Sequence, residues 1–341
     1  MRYYMGRTER MELIRKLEDL THSKVLVYIT GDRRGLETRV SPDIFPFVFK
    51  HLKKFGTTEK ISLFIYTPGG ITISGYGLVN LIREFCNRFD VLIPFRALST
   101  GTLIALGADQ IIMSRLGQLG PVDPSVNHPL APKTPHPQNP NVQVVVPVNV
   151  EDVLSFFELA KNEACANSEK ELTEAFKTLS TSVHPIVLGA INRARHQIKF
   201  LAKTLLSYHS SDEVKNDHII STLLEQRFSH DYLVGRKEAK EVIKLNIIDV
   251  SDEIDDTIQK LYDEYYDLMK LGSPYNQEEI LGVSNSLNAT FHRGIIESID
   301  LSHPYTTIKT IQRVQQQTPS GPVPGYSELL LEEGWMENNA I

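Results

Sequence analysis

The chain is poor in cysteine and has no long apolar run, and each shortage narrows what it can be. Two cysteines occur in 341 residues, Cys86 and Cys165, with no metal-ligand spacing around either. That speaks against a disulfide-stapled scaffold and a cysteine-built metal site, and it favours a reducing compartment. Nowhere do about 18 apolar residues follow one another, so no membrane span is expected. The opening MRYYMGRTERMELIRKLEDL is charged and lacks the apolar centre of a signal peptide. A cytoplasmic protein is the expectation. Basic blocks are missing too: the net charge is −6, and short clusters such as HLKKF read as solvated helix faces. The electrostatic footprint of a nucleic-acid binder is therefore absent.

What is present is a regular alternation. With 41% hydrophobic residues the chain can bury a sizeable core. Residues 8–20 read as a helix, KVLVYIT (24–30) as a buried strand, and SPDIFPFVFKHLKKFG (41–56) as a helix with Pro42 at its start and Gly56 beyond its end. KISLFIYT (60–67) is a second apolar strand. A helix over 73–89, a strand over 90–95, a helix over 102–109 and a strand over 110–114 follow, with Cys86 placed on the first of these helices. Strands that are apolar throughout and joined by helices indicate a parallel sheet covered on both faces, an α/β fold. Residues 129–148 are proline-rich and read as an extended surface loop. Helices are expected over 150–166, 168–181 and 185–208, a helix then a short strand over 235–249, and an acidic helix over 251–272. Beyond 273 the composition shifts to Asn, Ser, Gln, Pro and Gly. There, strand-like runs at 289–298 and 306–317 indicate a small accessory β element, and 318–341 a tail. No internal repeat is visible.

Three constellations bear on chemistry. YTPGG (66–70) closes a strand before a helix; a glycine pair there exposes backbone N–H groups to an anion or oxyanion, or simply makes a turn. FRALSTGTLIALGADQI (95–111) places Ser99 between a strand and a helix. There it either caps the helix or presents a nucleophile at the positive end of the helix dipole. In a parallel sheet both turns fall at carboxyl ends of strands, where such sheets place their sites. RFSHDYLVGRKEAKEVIKLNIID (227–249) adds an adjacent His230–Asp231 pair.

Taken together, these segments resemble the Clp/crotonase-fold serine peptidases, and within them the SDH-type (serine dehydrogenase proteinase) family. The likeness covers residues 20–250, through VYITGDRRGLETRVSPDIF, SLFIYTPGG, the run from LVNLIREF to GPVDPSV, VHPIVLGAINRAR and SHDYLVGRKEAK. The resemblance implies a Clp/crotonase-type domain over 21–250, a preceding N-terminal helix over 1–20, and a C-terminal extension over 251–341. It implies Ser99 as nucleophile, with the amides of Gly70 and Thr100 forming the oxyanion hole and Gly69 and Gly101 flanking them. Asp231, seven residues before Glu238, falls where the triad aspartate of ClpP stands. The place of the ClpP histidine is taken by GQLGPVDP (117–124), which offers Asp123 and no imidazole. A serine needs a general base, so His184, before the INRARHQIKF helix, and His230 are the candidates, with His128 and Lys161 behind them. Asp123 or Asp231 would orient the base. No metal or organic cofactor is implied. The expected activity is cleavage of unfolded polypeptides or peptides by a homo-oligomer, a trimer or a multiple of trimers. The alternative is a non-proteolytic interaction protein that recognises a partner through 273–341.

Overall fold

The computed structural model describes residues 6–122, 125–126, 128–136, 139–163, 168–224, 232–318 and 321–338. The chain divides into two compact units, one of residues 1–119 with 234–341 and one of residues 120–233.

The first unit opens with helix α1 (Arg7–Thr21) and strand β1 (Lys24–Thr30). Pro42 then starts a 3-10 turn leading into α2 (Phe45–Phe55), which Gly56 ends at φ +66°. Strand β2 (Thr58–Tyr66), helix α3 (Thr72–Arg83), strand β3 (Cys86–Ile93), the two-residue β4 (Arg96–Ala97), helix α4 (Thr100–Leu106), β5 (Gln110–Met113) and β6 (Gln118–Leu119) follow. Strands β1, β2, β3 and β5 lie side by side, all parallel. Their carboxyl-terminal halves are apolar and buried because both faces are covered there. Val25, Val27 and Ile29 point to a core shared with Ile14 and Leu17 of α1. Leu26 and Tyr28, between them in sequence, are equally buried and face the other way.

The second unit holds β7 (Ser125–Val126), the hairpin β8 (Lys133–His136) and β9 (Asn139–Val145), and β10 (Val148–Asn149). Four helices follow: α5 (Val150–Asn162), α6 (Glu169–Ser182), α7 (Pro185–Ser207) and α8 (Glu213–Leu224). Ser168 opens α6 with a reciprocal capping box to Glu171. The unit has its own core, from Ala131 and Val150 to Val187, Leu188 and Ile191.

The chain then returns to the first unit through β11 (Val234–Gly235), α9 (Arg236–Glu241), α10 (Asp252–Met269), α11 (Gln277–Leu281), β12 (Ser286–Glu297), β13 (Ser302–Thr318) and β14 (Gly321–Trp335). The last three strands extend the sheet beyond β1, giving the order β14-β13-β12-β1-β2-β3-β5 with antiparallel pairing from β1 outward. Ile258, Leu261 and Tyr265 of α10 join the α1 core. A buried ion pair ties these segments together. Arg10 Nε and a terminal nitrogen donate to the Glu297 carboxylate at 2.8 and 3.0 Å, and Tyr265 Oη donates to it at 2.5 Å. Removing one partner of such a buried pair costs about 3–5 kcal/mol.

The α/β class and the parallel strands agree with the sequence reading; several boundaries do not. The helix after YTPGG ends at Arg83 and Cys86 begins β3, where it is buried beside the parallel partner Thr58. The proline-rich 129–148 contains a two-stranded hairpin, because Pro135 and Pro140 sit on strands with an open edge. Residues 251–341 are no appendage: α10 shares a core with α1, and β12 pairs with β1. The stretch 318–341 is no tail either, since 321–335 pair with β13 along their length. Residues 120–233 cluster apart from the rest of 21–250 because their apolar side chains close a separate core.

Candidate active site

The carboxyl end of β2 runs into a turn that only glycine accommodates. Gly69 and Gly70 have φ of +116° and +154°. A Cβ on Gly70 would lie 2.3 Å from the Val40 carbonyl oxygen, and one on Gly69 would lie 2.9 Å from Ser99 Cβ. Val40 holds the turn from one side: its N–H donates to Gly69 O at 2.9 Å, and its carbonyl accepts from Ile71 N at 2.8 Å. Thr67 holds it from beneath. Its buried hydroxyl accepts from Gly69 N at 3.0 Å and from the Thr30 hydroxyl at 2.6 Å. The backbone of Thr67 also pairs with β4, donating to Arg96 O at 2.9 Å and accepting from Leu98 N at 3.0 Å.

The serine turn meets this glycine turn directly. Ser99 sits between β4 and α4 with φ +50° and ψ −108°, a conformation costly for a residue with a Cβ. It occupies the cap position of α4, yet its side chain makes no cap hydrogen bond. The helix-cap reading of this serine fails on that point. The residue is half-buried, and its hydroxyl stands 3.4 Å from where a Cβ of Gly69 would be. The surrounding donors sort themselves. Gly69 N is taken by Thr67 Oγ1 and Gly101 N by Leu98 O at 2.8 Å. The amides of Gly70 and Thr100 have no hydrogen-bond partner among the described residues. Thr100 Oγ1 donates to Gly70 O at 2.8 Å, linking the two residues that carry these amides. Gly101 packs so tightly that a Cβ there would lie 2.6 Å from Thr67 Cγ2. Nearby, Asp32 accepts from Tyr66 Oη at 2.7 Å and pairs with Arg96 at 3.3 Å. Burial, with Tyr262 and Asp32 adding to it, raises the Tyr66 phenol far above its ordinary value. It stays a neutral donor.

Gly69, Gly70, Ser99, Thr100 and Gly101 are thus one cluster. His184 belongs to the unit of residues 120–233, where it caps α7: its exposed ring accepts from Ile186 N through Nδ1 at 3.2 Å. His128 accepts from Leu130 N at 3.2 Å, and Lys161 is exposed in the last turn of α5. His230, Asp231 and Asp123 lie outside the described residues. No group of carboxylate, histidine and cysteine side chains among the described residues has the geometry to hold a metal ion. Among the same residues, no helix is long and apolar enough to cross a membrane. The sequence reading missed Thr67, Thr30 and Val40. Thr67 stands inside the quoted YTPGG, but its hydroxyl bond depends on Thr30, 37 residues away.

The chain is similar to several known proteins. Residues 1–136 match the family model of ClpP-like SDH-type serine proteinases. Two uncharacterized proteins of Methanocaldococcus jannaschii are related. MJ0137 is 23% identical over 273 residues, covering 78% of this chain and 81% of that protein. MJ1495 is 31% identical over 134 residues, covering 37% of this chain and 44% of that protein. Among solved structures, a serine-to-alanine mutant of the membrane-bound stomatin-specific protease 1510-N overlaps 71% of this chain and 85% of that one, at 13% identity and a TM-score of 0.39. A lysine-to-alanine mutant of the same protease in complex with a substrate peptide overlaps 67% and 78%, at 14% identity and a TM-score of 0.35.

Proposed function

We propose, from the match of residues 1–136 to the family model of ClpP-like SDH-type serine proteinases, that the chain is a serine peptidase acting on extended polypeptide segments. One observation carries the reading: a strained, half-buried serine packed on the glycine turn, in a cluster where the Gly70 and Thr100 amides are left without a partner among the described residues. Ser99 Oγ attacks the scissile carbonyl carbon and gives up its proton to a general base. The carbonyl oxygen becomes an oxyanion that accepts from Gly70 N–H and Thr100 N–H, donors fixed before the charge develops. Collapse expels the amine, which leaves with the proton, and water then hydrolyses the acyl-enzyme. Ile71 and Ile73, 49% and 50% exposed beside the turn, offer apolar contact to an extended chain laid along it.

The general base is His184 or His230, oriented by Asp123 or Asp231; these four roles rest on the family resemblance. The working form is a cytoplasmic homo-oligomer, a trimer or a multiple of trimers, on the same ground. The test is covalent labelling with a fluorophosphonate probe. Wild type is expected to be labelled and Ser99→Ala not; labelling that persists in Ser99→Ala overturns the nucleophile. Replacing His184 and His230 singly identifies the base as the one whose loss also removes casein hydrolysis.

A further inference from the structure

Away from the serine turn, the first unit encloses a cavity of about 680 Å³ lined by Arg33, Lys270, Asn276, Glu279, Met269, Ile280 and Phe291, among others. Arg33 is the unusual member. It is only 8% exposed, and a buried guanidinium is ordinarily held by a carboxylate. Here Nε donates to the Ser273 carbonyl at 2.7 Å and the Phe291 ring lies 6.0 Å away, while the Glu279 carboxylate attracts the guanidinium through space with no hydrogen bond to it. The rest of its donor fork has no acceptor among the described residues. The charges around the cavity can be summed. Arg33 and Lys270 are positive and Glu279 is negative. His292 also lines the cavity, and burial lowers it below its ordinary value, which keeps it neutral near pH 7. One positive charge is left uncompensated. Met269 and Phe291 are buried apolar walls at 3% and 7% exposure.

We infer that this cavity is a binding site for a small monocarboxylate with an apolar body, its carboxylate on the Arg33 fork and its body along Met269 and Phe291. A guanidinium fork matches a carboxylate in a bidentate pair. The single uncompensated charge favours a monoanion over a phosphate dianion. The site is independent of the peptidase reading, because it shares none of the residues of the serine turn. Its position has a consequence for that turn all the same. Arg33 stands in the loop that runs from the end of β1 to Val40, and Val40 is the residue that holds Gly70. Leu36 N donates to Arg33 O at 2.8 Å within that loop.

The test is calorimetric titration of the full chain with N-acetylphenylalanine, with its neutral amide, and with phenyl phosphate at pH 7.5. The acid is expected to bind and the amide not. Arg33→Gln is expected to weaken the acid by about ten- to a hundredfold. Lys270→Glu, at an exposed position that leaves folding intact, is expected to weaken it severalfold, and Ser99→Ala to leave it unchanged. Acid binding no better than amide binding overturns the site. So does an affinity that neither Arg33→Gln nor Lys270→Glu alters; should Arg33→Gln fail to fold, Lys270→Glu alone decides. Phenyl phosphate binding more tightly than the acid overturns the monocarboxylate assignment.

Discussion

Two serines in the same unit make opposite use of their surroundings. Ser298 is fully buried and hydrogen-bonded to His51 Nδ1 at 2.7 Å. His51 Nε2 meets His303 Nδ1 at 3.0 Å, and His303 Nε2 meets Glu337 at 3.5 Å. By composition this is a serine–histidine–acid relay. It has no exposed nucleophile, because the serine is shut in the interior where no substrate carbonyl can reach it. Ser99 has no such relay among the described residues of its own unit, yet it is strained, half-buried and clustered with the unpartnered Gly70 and Thr100 amides. A serine near a histidine is therefore a weak sign of catalysis. Unpartnered backbone donors beside a serine with a strained backbone are the stronger one, because donors of that kind can act on a transition state.

The two serines should differ most in covalent chemistry. Ser99→Ala is expected to lower peptide hydrolysis by about 10³-fold or more, whereas Ser298→Ala leaves probe labelling at the wild-type rate. Labelling lost in Ser298→Ala with the fold intact would reverse the assignment. Next comes Gly70→Ala. Its Cβ would meet the Val40 backbone at 2.3 Å, so the turn has to move, and hydrolysis is expected to fall by about 10²-fold, the scale of losing one oxyanion donor. Stability should fall with it, by about 2 kcal/mol or more. A Gly70→Ala enzyme of normal rate would remove the Gly70 amide from the mechanism.

The third prediction concerns the buried relay. Burial, with the His303, Arg7 and Lys50 charges adding to it, lowers His51 from 6.5 to about 3, and burial likewise lowers His303. The folded chain keeps His51 neutral while the unfolded chain protonates below about pH 6.5. Stability from this group is thus full above about pH 6.5 and declines as pH falls toward about 3, at up to about 1.4 kcal/mol per pH unit. Urea midpoints between pH 7 and 4.5 should show the decline, and His51→Asn should flatten it; parallel curves for the two proteins would contradict the coupling. The smallest effect is on Ser298→Ala itself, which leaves the His51 ring short of a partner and is expected to cost about 1–3 kcal/mol. A chemical-denaturation curve unchanged from wild type would show that the buried relay contributes nothing to stability.

Much of this was legible from residue order. KVLVYIT and KISLFIYT announce a two-sided parallel sheet because, after the opening lysine of each, apolar residues fall on both faces of the strand. YTPGG and RALSTGT could be joined because a parallel sheet sends both turns to the same edge. Other features left no local trace. The pattern LVNLIREF continues smoothly into CNRF, so the change from helix to strand before Cys86 is set by pairing with β2, a tertiary contact. β14 was illegible for the reverse reason: Pro322, Pro324 and Gly325 look like a tail, and only the long register with β13 makes them a strand. The positive φ of Ser99 is invisible in sequence, and so is the absence of its cap bond. The histidine assignments had only the family pattern behind them.

The position of β1, between β2 and β12, also bears on synthesis. A ribosome releases β1 some 250 residues before the partner that closes its other side, since β12 begins at Ser286. Until then the nascent chain carries an apolar strand with one open edge, and Arg10 lacks the Glu297 carboxylate that neutralises it. Long-range pairing of this kind is slow and leaves intermediates prone to aggregate. Translation stalled or truncated before about residue 300 therefore yields a chain whose glycine and serine turns are complete and whose sheet is not, a species that needs a chaperone.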